Sequence, residues 1–138
     1  MNTLALFDID NTLIQSSTGH KQAFVEAVKE VYDLEVDINV INYHGMTDQE
    51  ILLKVLNIYN VEDEIIRSKL RACMAVMPVK YNEIVKSENI VILDGVLNIL
   101  TKLQQIDIIL GLVTGNLEKI ARAKIKKIGV DRFFYFGG

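Results

Sequence analysis

Two aspartates, Asp8 and Asp10, stand two positions apart in the stretch FDIDNTL, directly after an apolar run near the amino terminus. On an extended backbone residues i and i+2 share a side, so both carboxylates would face one crevice. Two like charges that close raise one pKa unless a cation sits with them, and a hard divalent ion with oxygen ligands, Mg²⁺ foremost, resolves the conflict. One carboxylate is then free to act as nucleophile and the other as proton donor, the division of labour that moves a phosphoryl group through an aspartyl-phosphate. A second polar group, Thr114-Gly115-Asn116, ends a second apolar run, Ile108 to Val113. The Thr114 hydroxyl, the N–H groups around Gly115 and a following helix capped by Asn116 would form a donor-rich site suited to phosphate. Each motif has a plainer reading as well: turn aspartates after a strand, and a tight turn capping a helix.

The elements that must position these groups are read from hydrophobic period. Thr3 to Ile9 is nearly continuous apolar, as in a strand buried on both faces of a parallel sheet. From Ser17 the period is helical, with Phe24, Val28 and Val31 separated by charged residues. Leu34 to Val40 alternates apolar and polar and reads as a strand. Thr47-Asp48-Gln49-Glu50 is a capping box opening a helix that carries Ile51, Leu52, Val55 and Leu56. Glu62 to Val85 continues helically, and Pro78 is expected to bend or end it because proline lacks the N–H a helix interior needs. Asp94-Gly95 precedes a helix with Val96, Ile99, Leu100 and Leu103. Past Asn116 comes a helix with Arg122, Lys124, Lys126 and Lys127, whose basic residues read as a solvated face, and Gly129 is placed to stop it. Phe133 to Phe136 is a third short strand. Strands alternating with helices predict an open, Rossmann-like parallel α/β sheet, whose ligands bind beyond the carboxyl ends of the strands. Both polar clusters lie at such ends and should converge.

Composition narrows the function classes. The chain has 138 residues, half of them hydrophobic, and a formal charge of −3; its pI is near 5.4 and its mean hydropathy +0.23. That supports a real core and leaves no broad basic field, so no nucleic-acid partner is expected. Cys73 is the one cysteine, which suits a reducing compartment. No signal-peptide pattern opens the chain and no stretch approaches the roughly 20 apolar residues of a membrane span, so the expectation is a cytoplasmic protein with no membrane partner.

FDIDNTL followed later by an apolar strand ending VTGN resembles the haloacid dehalogenase (HAD) superfamily of phosphatases, in particular members with a helical cap inserted after the first motif. YHGMTDQEIL, Tyr43 to Leu52, and the ending RFFYFGG are similar to phosphoglycolate-phosphatase-like members. The resemblance implies a HAD-like α/β core in residues 1–15 and 87–138, incomplete at its C-terminal side, and a helical cap in residues 16–86. It implies Asp8 as nucleophile and Mg²⁺ ligand, Asp10 as general acid and base that gives the metal its backbone carbonyl, and Thr114 as the holder of the phosphoryl group, with Gly115 and Asn116 beside it. Dehalogenating members lack an aspartate two residues after the nucleophile, so Asp10 favours phosphoester chemistry on a small-molecule substrate. Family members normally continue after the third strand with a lysine that bridges nucleophile and phosphate, then an acidic pair that completes the metal site. By this reading Lys119, Lys124, Lys126 and Lys127 lie in the wrong place for the bridging role. The first strand would also have an open edge, through which the chain could self-associate.

His20 and His44, with Thr47, are weaker substrate candidates on the cap side, and Thr47 also reads as a helix N-cap. Cys73, Met74 and Met77 read as cap core rather than a metal site. Three functions stay open: a Mg²⁺-dependent phosphatase acting on a small phosphoester, a non-catalytic or truncated module of the same fold, and a phosphomutase.

Overall fold

In the computed structural model, which describes residues 2–137, three parallel strands lie in the order β1 (Leu4–Phe7), β2 (Ile109–Leu112), β3 (Phe136–Gly137). Leu4 pairs with Ile109 and Phe7 with Leu112, so Asp8 leaves β1 level with the residues that lead into Thr114. The Val113 N–H donates to the Phe7 carbonyl at 2.8 Å, which extends the ladder to the edge of the polar cluster. This register brings the two motifs together at one end of the sheet.

The first strand is shorter than its apolar run and is not buried on both faces. Leu4 and Leu6 are 50% and 52% exposed, and β1 is an edge strand among the described residues. The burial expected of the run falls on Ile9, Leu13 and Ile14, past the strand end. There Asn11, at φ +61°, turns the chain so that the Ile9 carbonyl accepts from the N–H groups of Thr12, Leu13 and Ile14. Asparagine is among the few side chains that tolerate this left-handed backbone, which is why the residue after Asp10 can be Asn.

Helices α1 (Thr18–Tyr32), α2 (Asp48–Ile58) and α3 (Asp63–Ile84) form a layer of their own. α1 is capped by Ser17, whose hydroxyl accepts from the His20 N–H, and it buries Ala23, Phe24, Ala27 and Val28, the one-turn spacing of a single face. The capping box of α2 forms as its sequence predicts: Thr47 Oγ1 accepts from the Glu50 N–H, and the Glu50 carboxylate accepts from the Thr47 N–H at 2.9 Å. Pro78 does not end α3. The helix runs unbroken through this residue, which is buried in the helix packing, so the cost is one missing hydrogen bond to the Met74 carbonyl rather than a terminated helix. The side chains of Tyr81, Phe24, Leu52 and Met77 are almost wholly withdrawn from water, each contributing roughly 1.5–3 kcal/mol of burial free energy.

Leu34 to Val40 is not a strand. It is an irregular segment ending in a 3-10 turn, Ile38–Val40, in which Asp37 accepts from the Asn39 N–H at 2.9 Å and donates its own N–H to the Tyr59 hydroxyl. Val36 and Ile38 are buried against the helices, and this produces the alternation without a pairing partner.

Around the sheet, α4 (Val96–Gln105) and α5 (Glu118–Lys127) enclose a second cluster with Leu100, Leu110, Leu112 and Ile125. Gly129, at φ +74°, ends α5 as predicted. The third strand begins later than expected because Asp131–Phe133 forms a 3-10 turn. Two connecting segments join the layers side by side: the Gln15 N–H donates to the Val91 carbonyl at 3.0 Å and the Leu93 N–H to the Leu13 carbonyl at 3.0 Å. Glu88 secures this junction, accepting from the Ser17 hydroxyl, the Gly19 N–H and the Tyr81 hydroxyl. No helix among the described residues is long and apolar enough to cross a membrane.

Candidate functional site

A cleft of about 140 Å³ lies where the helical layer meets the sheet's carboxyl end. Asp8, Asp10, Thr114, Gly115 and Asn116 line it from the sheet side, and His20 and His44 from the helical side. Thr47 is absent from its lining. That hydroxyl is spent on the α2 cap, and it is the neighbouring Asp48 that reaches the cleft. His44 is exposed at the mouth, its ring 5.3 Å from that of Tyr43.

The two aspartates have different surroundings. Asp8 is exposed, and its carboxylate accepts from the Ile9 N–H at 2.7 Å. Asp10 is enclosed: Asn116 Nδ2 donates to it at 2.8 Å, and Lys124 Nζ lies 3.0 Å from both of its oxygens. Burial works against the Asp10 charge, yet the Lys124 ammonium and the hydrogen bonds from Asn116 and Lys124 outweigh it and hold the carboxyl below its ordinary value.

Lys124 overturns its sequence reading as part of a solvated basic face. Its side chain is fully buried, whereas Lys126 and Lys127 in the same helix are exposed. The ammonium donates to Asp10, to His20 Nδ1 at 2.9 Å and to Asn116 Oδ1, so all three of its protons have acceptors. Burial pulls its pKa below that of an ordinary lysine, while Asp10, Asp48 and Glu88 act to keep the proton on. The signal was in the helical period: Lys124 lies one turn after Ile120 and next to Ile125, both buried, and so falls on the inward stripe of α5.

Asn116 also differs from expectation. The N-cap position of α5 is Leu117, and Asn116 instead orients Asp10 and Thr114, donating through Nδ2 to Thr114 Oγ1 at 2.6 Å. Thr114 Oγ1 accepts there and from the Asn116 N–H at 3.1 Å, so the hydroxyl proton is left to point into the cleft. The free N–H at the start of α5 is claimed from the helical layer: Asp48 Oδ2 accepts from Leu117 N at 2.7 Å, and Asp48 Oδ1 lies 3.0 Å from His20 Nε2. Asp48 is 4% exposed. In the sequence it stands only inside the Thr47–Glu50 capping box, where the box residues themselves draw the attention. The Asp48 N–H donates to the Gly115 carbonyl at 2.9 Å, and the Met46 carbonyl passes so close to Gly115 that a Cβ there would come within 2.5 Å. Only glycine admits this approach.

Among the described residues no group of three His, Cys, Asp or Glu is placed to hold a metal ion. Mg²⁺ asks for six oxygens but keeps several waters and takes others from a substrate phosphate. The exposed Asp8 carboxylate suits one such position and the Asp10 backbone carbonyl a second, while the Asp10 carboxylate is already engaged by Lys124 and Asn116. The residues present fit a weakly held, largely hydrated ion.

The sequence model of the haloacid dehalogenase-like hydrolase family matches residues 5–136. The chain belongs to this family. Solved structures agree with the HAD-like fold. A Haemophilus somnus 129PT protein predicted to be a phosphoglycolate phosphatase superimposes with a TM-score of 0.67 at 18% identity, over 99% of this chain and 61% of its own length. CbbY from Rhodobacter sphaeroides, bound to xylulose-1,5-bisphosphate, gives a TM-score of 0.74 at 15% identity, over 99% and 63%. A Thermotoga maritima protein assigned as a β-phosphoglucomutase gives 0.54 at 15%, over 99% and 60%. The HAD-family chain thus spans about 60% of the length of these structures. No curated protein matches it significantly.

Proposed function

We propose that this chain carries the phosphoryl-transfer centre of a phosphatase acting on a small phosphorylated metabolite. The observation that supports the reading best is the cleft that Asp8, Asp10 and Thr114 line together, with the buried Lys124 ammonium behind it at 3.0 Å from Asp10. Two carboxylates of unlike surroundings and a hydroxyl donor in one cleft are the groups that nucleophilic attack, leaving-group protonation and phosphoryl binding call for.

In this mechanism an Asp8 oxygen attacks phosphorus, the bond to the leaving oxygen breaks, and that oxygen takes a proton from Asp10. The product is an acyl phosphate on Asp8. Asp10, now ionised, takes a proton from water as the water attacks phosphorus, which releases inorganic phosphate and restores Asp8. The Thr114 hydroxyl donates to a non-bridging oxygen throughout. Asp10 needs its proton before the first step, and in the resting site Lys124 keeps it ionised. The negative charge of an arriving phosphate dianion beside Asp10 opposes its ionisation and favours the proton. Mg²⁺ bound at Asp8 and the Asp10 carbonyl would supply further charge neutralisation on the phosphate.

Asp8→Asn is expected to lower turnover of a phosphoester panel by several orders of magnitude in a folded protein. Retention of near-normal turnover would remove Asp8 as nucleophile. Appearance of an isomerised sugar phosphate in place of inorganic phosphate would make the chain a phosphomutase. Phosphoglycolate belongs in the panel by resemblance.

A further inference from the structure

The geometry points to His20 and Asp48 as a positioning pair that holds the Lys124 ammonium at Asp10 and so makes the lysine's placement depend on the helical layer. The inference rests on Lys124 being the partner that sets the charge of Asp10 in the proposed reaction. Neither residue has to touch substrate for it.

The hydrogen-bond logic fixes the state of the imidazole. Asp48 is a carboxylate whose Oδ2 accepts from the Leu117 N–H at 2.7 Å, and its Oδ1 lies 3.0 Å from His20 Nε2. A carboxylate only accepts, so Nε2 carries the proton. On the other side of the ring Nδ1 lies 2.9 Å from Lys124 Nζ. An ammonium only donates, so Nδ1 offers its lone pair. One neutral tautomer satisfies both contacts. An imidazolium would turn an N–H toward the ammonium and lose that bond.

A closed circuit results. Leu117 and Lys124 are seven residues apart on α5, two turns, and the gap between the helix's first N–H and its buried lysine is bridged by Asp48 from the start of α2 and His20 from the first turn of α1. Both bridging residues are supported from behind. The Thr47–Glu50 box fixes the first turn of α2, and Ser17 caps the turn that carries His20. The Tyr81 ring, 5.9 Å from that of His20 and 5.9 Å from Lys124 Nζ, covers the pair on a further side. A lysine stem has four flexible bonds, and an ammonium with one fewer acceptor has more than one place to go. The pair removes that freedom. Partners that orient metal ligands in this way are worth about 10- to 100-fold, and the same order is expected for a held ammonium.

The test reads the network directly and then through turnover. In ¹⁵N-labelled protein, two-bond ¹H–¹⁵N correlations should show His20 neutral with the proton on Nε2, and Lys124 should give a slowly exchanging ammonium correlation. Asp48→Asn, which keeps an oxygen for the Leu117 N–H, should mix the His20 tautomers and broaden the Lys124 signal. On whichever panel phosphoester the wild type turns over, kcat should fall about 10- to 100-fold with KM little changed. His20→Asn, whose side-chain oxygen can stand where Nδ1 stood, should retain more turnover than His20→Phe. An Nδ1–H tautomer or an imidazolium in the wild type would overturn the inference. So would Asp48→Asn with unaltered spectra and kcat. Wild-type spectra as expected, with no phosphoester turned over, would sustain the pair and refute the proposed function instead.

Discussion

Replacing Lys124 with methionine keeps an unbranched stem, one atom shorter, and removes its charge, and three losses follow from the structure. Asp10 keeps the Asn116 donor but loses its cation, and His20 Nδ1 and Asn116 Oδ1 each lose a donor. Removing one member of a buried pair costs about 3–5 kcal/mol when the partner is left enclosed and alone. Here Asp10 is 29% exposed at its side chain and keeps one hydrogen bond, while the cost of burying the ammonium disappears, so a net loss of about 2 kcal/mol is expected. With an unfolding entropy of about 2.1 cal/mol/K per residue, 138 residues translate this into a Tm lower by roughly 7 °C.

The pH dependence carries the sharper test. In the wild type the folded Asp10 pKa is depressed, so its stabilising contribution is present above the unfolded value of 3.8 and is lost as pH falls below it. In Lys124→Met burial is left unopposed by the cation and raises the folded Asp10 pKa. The variant's penalty is then largest near neutrality and relaxes as Asp10 takes its proton. The Tm gap, measured by calorimetry at neutral pH and again in the carboxylate range, should narrow on acidification. A gap that stayed constant, or widened, would show that Lys124 does not pair with Asp10.

Gly115→Ala should separate the helical layer from the Thr114 loop, because the added Cβ meets the Met46 carbonyl; faster amide exchange at Asp48, whose N–H bonds the Gly115 carbonyl, would report it. Cys73 is fully buried and burial pushes its thiol up to about 12, so it should resist iodoacetamide at neutral pH until the protein unfolds, and rapid native-state alkylation would contradict the packing. The exposed Leu4 and Leu6 on edge strand β1 should drive self-association, and Leu6→Lys should lower the weight-average mass seen in sedimentation.

What the sequence showed and what it hid follow from the range of the interactions concerned. The paired aspartates and Thr114 were legible because strand ends in a parallel sheet need no further information to converge. The capping box of α2 and the stop at Gly129 were legible because both are settled within one turn. Lys124 was hidden by its neighbours: a run with Arg122, Lys126 and Lys127 looks like a solvated face, and only the buried Ile120 and Ile125 mark the one lysine that points inward. Asp48 was hidden because its partners, Leu117 and His20, are remote in sequence. The strand reading of Leu34 to Val40 failed because alternation records which side chains are buried and is silent on whether a partner strand exists. Termination at Pro78 failed for a related reason: local chemistry counts the lost hydrogen bond, whereas the packing of a 22-residue helix outweighs it.

The paired connections between the two layers set a mechanical limit. Gln15 is bonded to Val91 and Leu13 to Leu93, so the joint is a short two-chain ribbon and not a single tether. Sliding one chain along the other would break those bonds, whereas bending both together leaves them intact. The helical layer is therefore confined to something close to one rotation, and entry of a ligand larger than the cleft becomes a question of a single angle.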